Sequence, residues 1–126
     1  LQDNQYGLAI VDFTPVAKEV RTQWGAEAKY QLACCYFQLG ATDMAEQEIM
    51  SFTQLQTSHQ YWLAKSLILL ADINVNRNDL FQAKQYLLAL QNNYRQDDDI
   101  ATIIADKLEA IQQLEIQQNT DTILTE

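Results

Sequence analysis

The residues best suited to chemistry are one histidine, two adjacent cysteines and one run of three aspartates. A cysteine becomes a nucleophile beside a base or a positive charge, and zinc sites combine several His and Cys ligands. His59 is the only histidine and does not pair convincingly with Cys34 as a nucleophile and base. Cys34 and Cys35 point about 100° apart on a helix, which disfavours a disulfide between them. Both are therefore predicted to be reduced, packed thiols.

The aspartate run, residues 97–99, lacks the glycine and the distal glutamate of a calcium loop. Carboxylates also stabilise the first turn of a helix, which explains the run without a metal. The sequence contains no Gly-rich phosphate loop, no Cys-x-x-Cys and no paired-carboxylate signature. We therefore predict no catalytic, cofactor-binding or metal-binding residues, and we do not expect an enzyme.

Composition favours one all-α domain. The chain has 126 residues, 48% of them hydrophobic, with only 3 glycines and 1 proline. Its net charge of −9 and pI near 4.3 argue against binding to nucleic acid or to anionic lipid surfaces. No apolar run approaches the roughly 20 residues that a membrane-spanning helix needs, so no membrane insertion is expected.

Hydrophobic periodicity predicts about six antiparallel helices. Thr22 and Ser58 are the predicted N-caps of the second and fourth helices, and Gly40 ends the second. Residues 21–25 are predicted to form the corner before the second helix, and a fifth helix is predicted from Leu80 to about Asn93. Pro15 should kink the first helix or restart it with Thr14 as N-cap. The predicted domain covers residues 1–118: a half-repeat over 4–21, repeats over 25–56 and 60–94, a half-repeat or capping helix over 98–118, and then a frayed tail over 119–126.

The two central hairpins share one spacing. Leu32 precedes Ala45 by 13 positions, and Leu70 precedes Ala83 by the same 13. The matched pairs are Leu32 with Leu70, Ala33 with Ala71, Ala45 with Ala83, Ile49 with Leu87, and Phe52 with Leu90. At the ends, Ala9, Phe13 and Val16 repeat the spacing of Ala45, Ile49 and Phe52, while Ile104, Ala105 and Leu108 repeat that of Leu32, Ala33 and Tyr36. This pattern predicts a stack of helix pairs with a half-repeat at each end.

Through these repeated residues the chain resembles the tetratricopeptide repeat family, whose pattern includes Leu-Gly/Ala, a Tyr, a corner Gly, an Ala and an aromatic residue. The resemblance covers about residues 26–93. Several positions depart from the pattern: Lys29 and Leu67 replace Trp, Asn74 replaces Tyr, Asn78 replaces the corner Gly, and Thr57 replaces a closing Pro. The resemblance implies an α-α superhelix that serves as a protein-binding scaffold.

The resemblance also implies a concave binding face, lined by residues from the first helix of each repeat. These positions are Glu27, Tyr30, Cys34, Phe37, Lys65, Ile68, Asp72 and Val75. The alternative is that Tyr30, Phe37 and Ile68 pack against the terminal helices of so short a stack. Trp24 and Trp62, each near the start of a first helix, are expected to pack between consecutive repeats.

Two functions follow as expectations. The first is a scaffold that binds a peptide or protein on the concave face. The second is a structural segment whose exposed terminal helices self-associate, including as a homodimer. The chain starts without methionine and is expected to be a piece of a longer protein. It looks like the C-terminal repeats of long bacterial repeat proteins, many of them associated with the cell envelope, although a cytoplasmic location stays open.

Overall fold

The protein is all-α. The computed structural model describes residues 3–125, with the side chains of residues 5–121. Six helices occur in this part of the chain: α1 (Asp3–Val16), α2 (Gln23–Gln38), α3 (Thr42–Gln54), α4 (Gln60–Asn76), α5 (Leu80–Asn93) and α6 (Ile100–Thr125). Short connections separate them, and each helix contacts the next one along the chain. The predicted fold class is confirmed.

Local chemistry explains several helix ends. Thr22 is the N-cap of α2, where its side-chain oxygen accepts a 3.0 Å hydrogen bond from the Gly25 amide. Gly40 follows α2 with φ +79°, a conformation that glycine adopts at little cost. Asp79 caps α5 by accepting from the Gln82 amide. The predictions for Thr22 and Gly40 are confirmed.

Three of the helices form one layer, and the other three pack against it. The pairs α1 with α2, α2 with α3, and α4 with α5 make the most extensive contacts. In addition, α2 contacts α4 and α4 contacts α6, while α3 packs on α4 and α5 packs on α6. One layer therefore contains α2, α4 and α6, the first helices of the predicted repeats.

The matched positions of the two hairpins form the core. Leu32, Ala33, Ala45, Ile49, Phe52, Leu70, Ala71, Ala83 and Leu87 are buried, and Leu90 is half-buried. The half-repeats differ because each has a neighbour on one side only. Ile104 is buried, but Ala105 is exposed, and Val16 is 45% exposed. The spacing is thus repeated along the chain, whereas burial depends on whether a second helix covers the position.

Structure accounts for three departures from the repeat pattern. Asn78, in the place of the corner glycine, has φ +60°, and asparagine tolerates this region better than most residues. Asn74 is buried and donates from Nδ2 to the Leu70 carbonyl at 3.0 Å. Thr57 donates from Oγ1 to the Val20 carbonyl at 2.7 Å, which ties the α3–α4 loop to the α1–α2 loop.

Lys29, in the place of a tryptophan, is buried against α3. Its Nζ lies 2.6 Å from Glu48 Oε2, and the two side chains are 10% and 24% exposed. Glu48 Oε2 accepts no hydrogen bond, so its contact with the Lys29 ammonium is an ion pair without hydrogen-bond geometry. The lysine stem packs where an indole would, and the carboxylate compensates its charge.

Four local predictions are wrong. The first helix runs through Pro15 and ends at Val16, so the predicted restart at Thr14 is wrong, and Thr14 donates back to the Ile10 carbonyl instead of acting as an N-cap. Pro15 removes one backbone hydrogen bond from the last turns of α1, and the helix ends one residue later. His59, not Ser58, is the N-cap residue of α4.

The other two errors concern Gly25 and the C-terminal tail. Gly25 lies inside α2 and not in the predicted corner. A Cβ added to Gly25 would fall 1.7 Å from the Glu19 carbonyl oxygen. Helix α6 continues to Thr125, past the predicted end near residue 118, so residues 119–125 of the predicted tail are helical, and residue 126 lies outside the described residues. Among the described residues, no helix combines the length and apolar character needed to cross a membrane.

Candidate functional site

Three of the four predicted α2 residues lie on the side of α2 that faces α4. Tyr30, Cys34 and Phe37 are each half-buried. They pack against a buried cluster contributed by α2, α3 and α4, namely Ala33, Ala45, Ile49, Leu69, Leu70 and Ile73. One face of these side chains therefore supports the core, and the remainder is accessible to a partner.

An aromatic group adjoins this stripe at the start of α4. The rings of Tyr30 and Trp62 have centroids 5.7 Å apart, and Tyr61 meets Trp62 edge-on at 5.1 Å. Lys65 Nζ lies 5.6 Å from the Tyr30 ring centroid, within the range of a cation–π contact. Successive first helices thus present aromatic rings and a cation side by side.

Burial controls the titration of the polar groups here. It raises the pKa of the Tyr30 hydroxyl, with further contributions from a hydrogen bond to Cys34 and from the charge of Asp72. Burial likewise raises the pKa of the Cys34 thiol. Because a thiol with a raised pKa carries little thiolate near neutral pH, Cys34 lacks the activation of a catalytic nucleophile.

The predicted α4 residues divide into a core pair and a polar pair. Ile68 is only 5% exposed and belongs to the cluster that contains Ile100, Ile104 and Ile111 of α6, so it is a core residue, as the alternative reading expected. Val75 packs against the same cluster. Lys65 and Asp72 are half-buried at the surface.

Helix α6 contributes a residue that the sequence did not indicate. Lys107 Nζ lies 3.0 Å from Asp72 Oδ1 and forms an ion pair across α4 and α6. Beside this pair is a cleft of about 150 Å³. Its walls are Ala71, Asp72, Val75, Leu87, Lys107, Ala110, Ile111 and Leu114. Lys107 was missed because its separation from Asp72 follows no helical period; only the packing of α6 on α4 brings them together.

Glu27 lies apart from the other predicted residues. It lines a groove of about 410 Å³ between α1 and α2, which we call the α1–α2 groove. The lining residues are Asp12, Phe13, Val16, Trp24, Glu27, Ala28 and Gln31. Trp24 is 72% exposed beside it, so the expectation that Trp24 packs between repeats is wrong, whereas Trp62 does pack on Tyr30.

Three of the residues first considered for chemistry have structural partners. His59 Nε2 lies 3.1 Å from the Arg21 carbonyl oxygen. Asp98 accepts from the Ile100 amide at the start of α6 and from the Tyr94 hydroxyl, and Asp99 accepts from the Tyr61 hydroxyl. Among the described residues, no three His, Cys, Asp or Glu side chains are grouped to hold a metal ion.

Comparison with known proteins adds no relative from which a role could be transferred. No protein-family model, no curated protein and no solved structure matches the chain. The functional interpretation therefore depends on the geometry described above.

Proposed function

We propose that the chain is a tetratricopeptide-like repeat module that binds a peptide or protein segment. The proposed binding face is the surface of α2 and α4, beside α6, and the module acts by binding and not by catalysis. Tyr30, Cys34, Phe37, Lys65 and Asp72 are the predicted residues that remain accessible on it. A place among bacterial envelope proteins remains part of the same proposal.

The observation that carries this proposal is the juxtaposition of Tyr30 and Lys65 on consecutive first helices. Accessible aromatic rings next to charged groups are common anchors in protein interfaces. Asp72 and Lys107 add a carboxylate and an ammonium beside an apolar cleft. A bound segment could place an apolar side chain in that cleft while its polar groups meet the two charges.

Selection from a displayed library of random peptides tests the proposal. Enriched peptides are expected to shift the backbone NMR signals of α2 and α4. Lys65→Glu should weaken their binding by about fivefold, since a partly exposed charge in an interface contributes on the order of 1 kcal/mol. Lys18→Glu is the matched control because it makes the same charge change at an exposed site in the α1–α2 loop.

The proposal fails if selection enriches no peptide or if the shifted signals lie outside α2, α4 and α6. Equal losses for Lys65→Glu and Lys18→Glu would also contradict it, since the effect would then reflect net charge alone.

Self-association is the second candidate, and exposed apolar side chains at both ends of the stack favour it. On α1, Leu8 is 65% and Val11 is 69% exposed; on α6, Leu114 and Ile116 are exposed as well. Such unpartnered apolar faces often mark interfaces. Light scattering over a dilution series distinguishes the candidates, because a strict monomer at high concentration contradicts self-association.

A further inference from the structure

The α1–α2 groove is apolar at its base and carries charge at its rim. Val16 and Trp24 expose large apolar surfaces beside it, and Asp12 and Glu27 belong to its lining. Neither carboxylate forms an ion pair with any residue whose side chain is described. In contrast, Glu48, Asp72 and Glu115 each pair with a lysine.

The repeat pattern provides this groove with an internal counterpart between α3 and α4. Under the spacing described above, Asp12, Phe13 and Val16 correspond to Glu48, Ile49 and Phe52, and Trp24 and Glu27 correspond to Trp62 and Lys65. Ile49 and Phe52 are fully buried. The α3–α4 groove therefore corresponds to the α1–α2 groove with a helix already packed in it.

Helix α2 is the occupant of the α3–α4 groove. Lys29 pairs with Glu48 at 2.6 Å, and the Tyr30 ring packs on Trp62 at a centroid distance of 5.7 Å. Ala33 lies in the same buried cluster as Ile49. A basic residue, an aromatic residue and a small residue thus satisfy the carboxylate, the indole and the apolar base of the groove.

The two grooves differ in the charge of one residue, and this difference changes which helix the α1–α2 groove should bind. In the covered groove, Lys65 lies over the Tyr30 ring. Its counterpart Glu27 is a carboxylate, which the negative face of an aromatic ring repels. In a helix bound to the α1–α2 groove, an arginine at the position that corresponds to Tyr30 could both pair with Glu27 and stack on Trp24.

We propose that the α1–α2 groove binds a helix of a partner protein with two consecutive basic residues, followed three positions later by alanine. The first basic residue faces Asp12, the second faces Glu27 and Trp24, and the alanine lies over Phe13. This site is separate from the α2–α4 face and does not depend on the function proposed for it.

Charge argues against a second copy of this chain as the occupant. Of its eight Lys and Arg residues, only Lys18 and Arg95 have neither an ion pair nor a ring contact among the described residues. Both lie outside the helices. The chain therefore offers no helix with two free, adjacent basic residues.

Three lactam-bridged helical peptides test the proposal, each based on residues 25–40 with both cysteines replaced by alanine. One carries Lys-Arg at the positions of Lys29 and Tyr30, one keeps Lys-Tyr, and one carries Glu-Glu. The expected order of affinity is Lys-Arg, then Lys-Tyr, then Glu-Glu, with at least tenfold between first and last. Binding should shift the indole NMR signal of Trp24 and leave that of Trp62 unchanged.

A charge exchange provides the decisive control. The double variant Asp12→Lys and Glu27→Lys should lose the Lys-Arg peptide and gain the Glu-Glu peptide, while Arg95→Glu, at an exposed site outside the helices, should bind like the wild type. Equal affinities for the first and last peptides, absence of binding, or shifts at Trp62 would overturn the proposal. A dimer that the Lys-Arg peptide does not dissociate would also overturn it in favour of self-association.

Discussion

The α1–α2 groove and the α3–α4 groove share a spacing of side chains but differ in exposure. Phe52 and Ile49 are fully buried because α2 covers them, whereas Val16 and Phe13 retain exposed surface. The same contrast separates Trp62, which packs on Tyr30, from Trp24, which is mostly in solvent. An identical pattern thus contributes to the core in one place and to a surface in the other, depending on one additional helix.

The largest effect should come from truncating the covered groove. Phe52→Ala removes a fully buried ring and should lower the free energy of unfolding by about 3–5 kcal/mol. Its counterpart Val16→Ala should change it by roughly 0.5 kcal/mol or less, since Val16 is already partly exposed. Urea unfolding followed by circular dichroism measures both. Similar losses for the two variants would mean that the grooves are covered alike.

The buried ion pair gives the next effect. Lys29→Ala leaves the Glu48 carboxylate without its cation and should cost about 2 kcal/mol, less than the 3–5 kcal/mol for a fully buried pair because Glu48 is 24% exposed. Asp12→Ala in the open groove should be nearly neutral. A double variant, Lys29→Met with Glu48→Gln, should recover much of the loss in the same urea titration. A loss from Asp12→Ala as large as that from Lys29→Ala would contradict the comparison.

Alkaline pH should destabilise the fold by ionising two thiols of α2, one buried and one half-buried. Burial raises the pKa values of Cys34 and Cys35 above the ordinary 9.0. A group with a raised folded-state pKa contributes its stability below the unfolded pKa and loses it as pH rises through the folded value. The free energy of unfolding should therefore decline above about pH 9. Replacing both cysteines by alanine should flatten the decline, and an unchanged slope would count against burial as its cause.

The smallest effect is spectroscopic. Trp24→Phe and Trp62→Phe variants each leave one indole, and the fluorescence of the remaining Trp24 should be quenched more strongly by iodide than that of Trp62. Both variants should keep their helical circular dichroism signal. Equal quenching constants would contradict the difference in exposure between the two grooves.

Features set by neighbouring residues in the chain were predicted well. The spacing at Leu80–Asn93 predicted α5 with its observed bounds, and Gly40 ends α2 because a left-handed residue is cheapest for glycine. The prediction failed where two local options compete. Ser58 and His59 are adjacent candidates for one cap, and the loop that positions them is tied by Thr57 to a carbonyl 37 residues away.

The candidate surface was predicted less completely than the helices. Tyr30, Cys34 and Lys65 lie close together because α2 and α4 are neighbours in one layer. Ile68 has the same place in its stripe, but α6 buries it. Glu27 also belongs to the predicted stripe, yet it lies in the α1–α2 groove.

By itself, the sequence determined the helices, the repeat and the residues able to face the core, because hydrophobic period and capping act within a few turns. The tertiary structure alone decided which copy of the repeated pattern is covered. That outcome depends on whether another helix lies against the position: α2 covers Ile49, α6 covers Ile68, and nothing in the described part of the chain covers Trp24. The same difference leaves Asp12 and Glu27 without an ion pair to any residue whose side chain is described, although their counterparts Glu48 and Lys65 have close contacts within the stack.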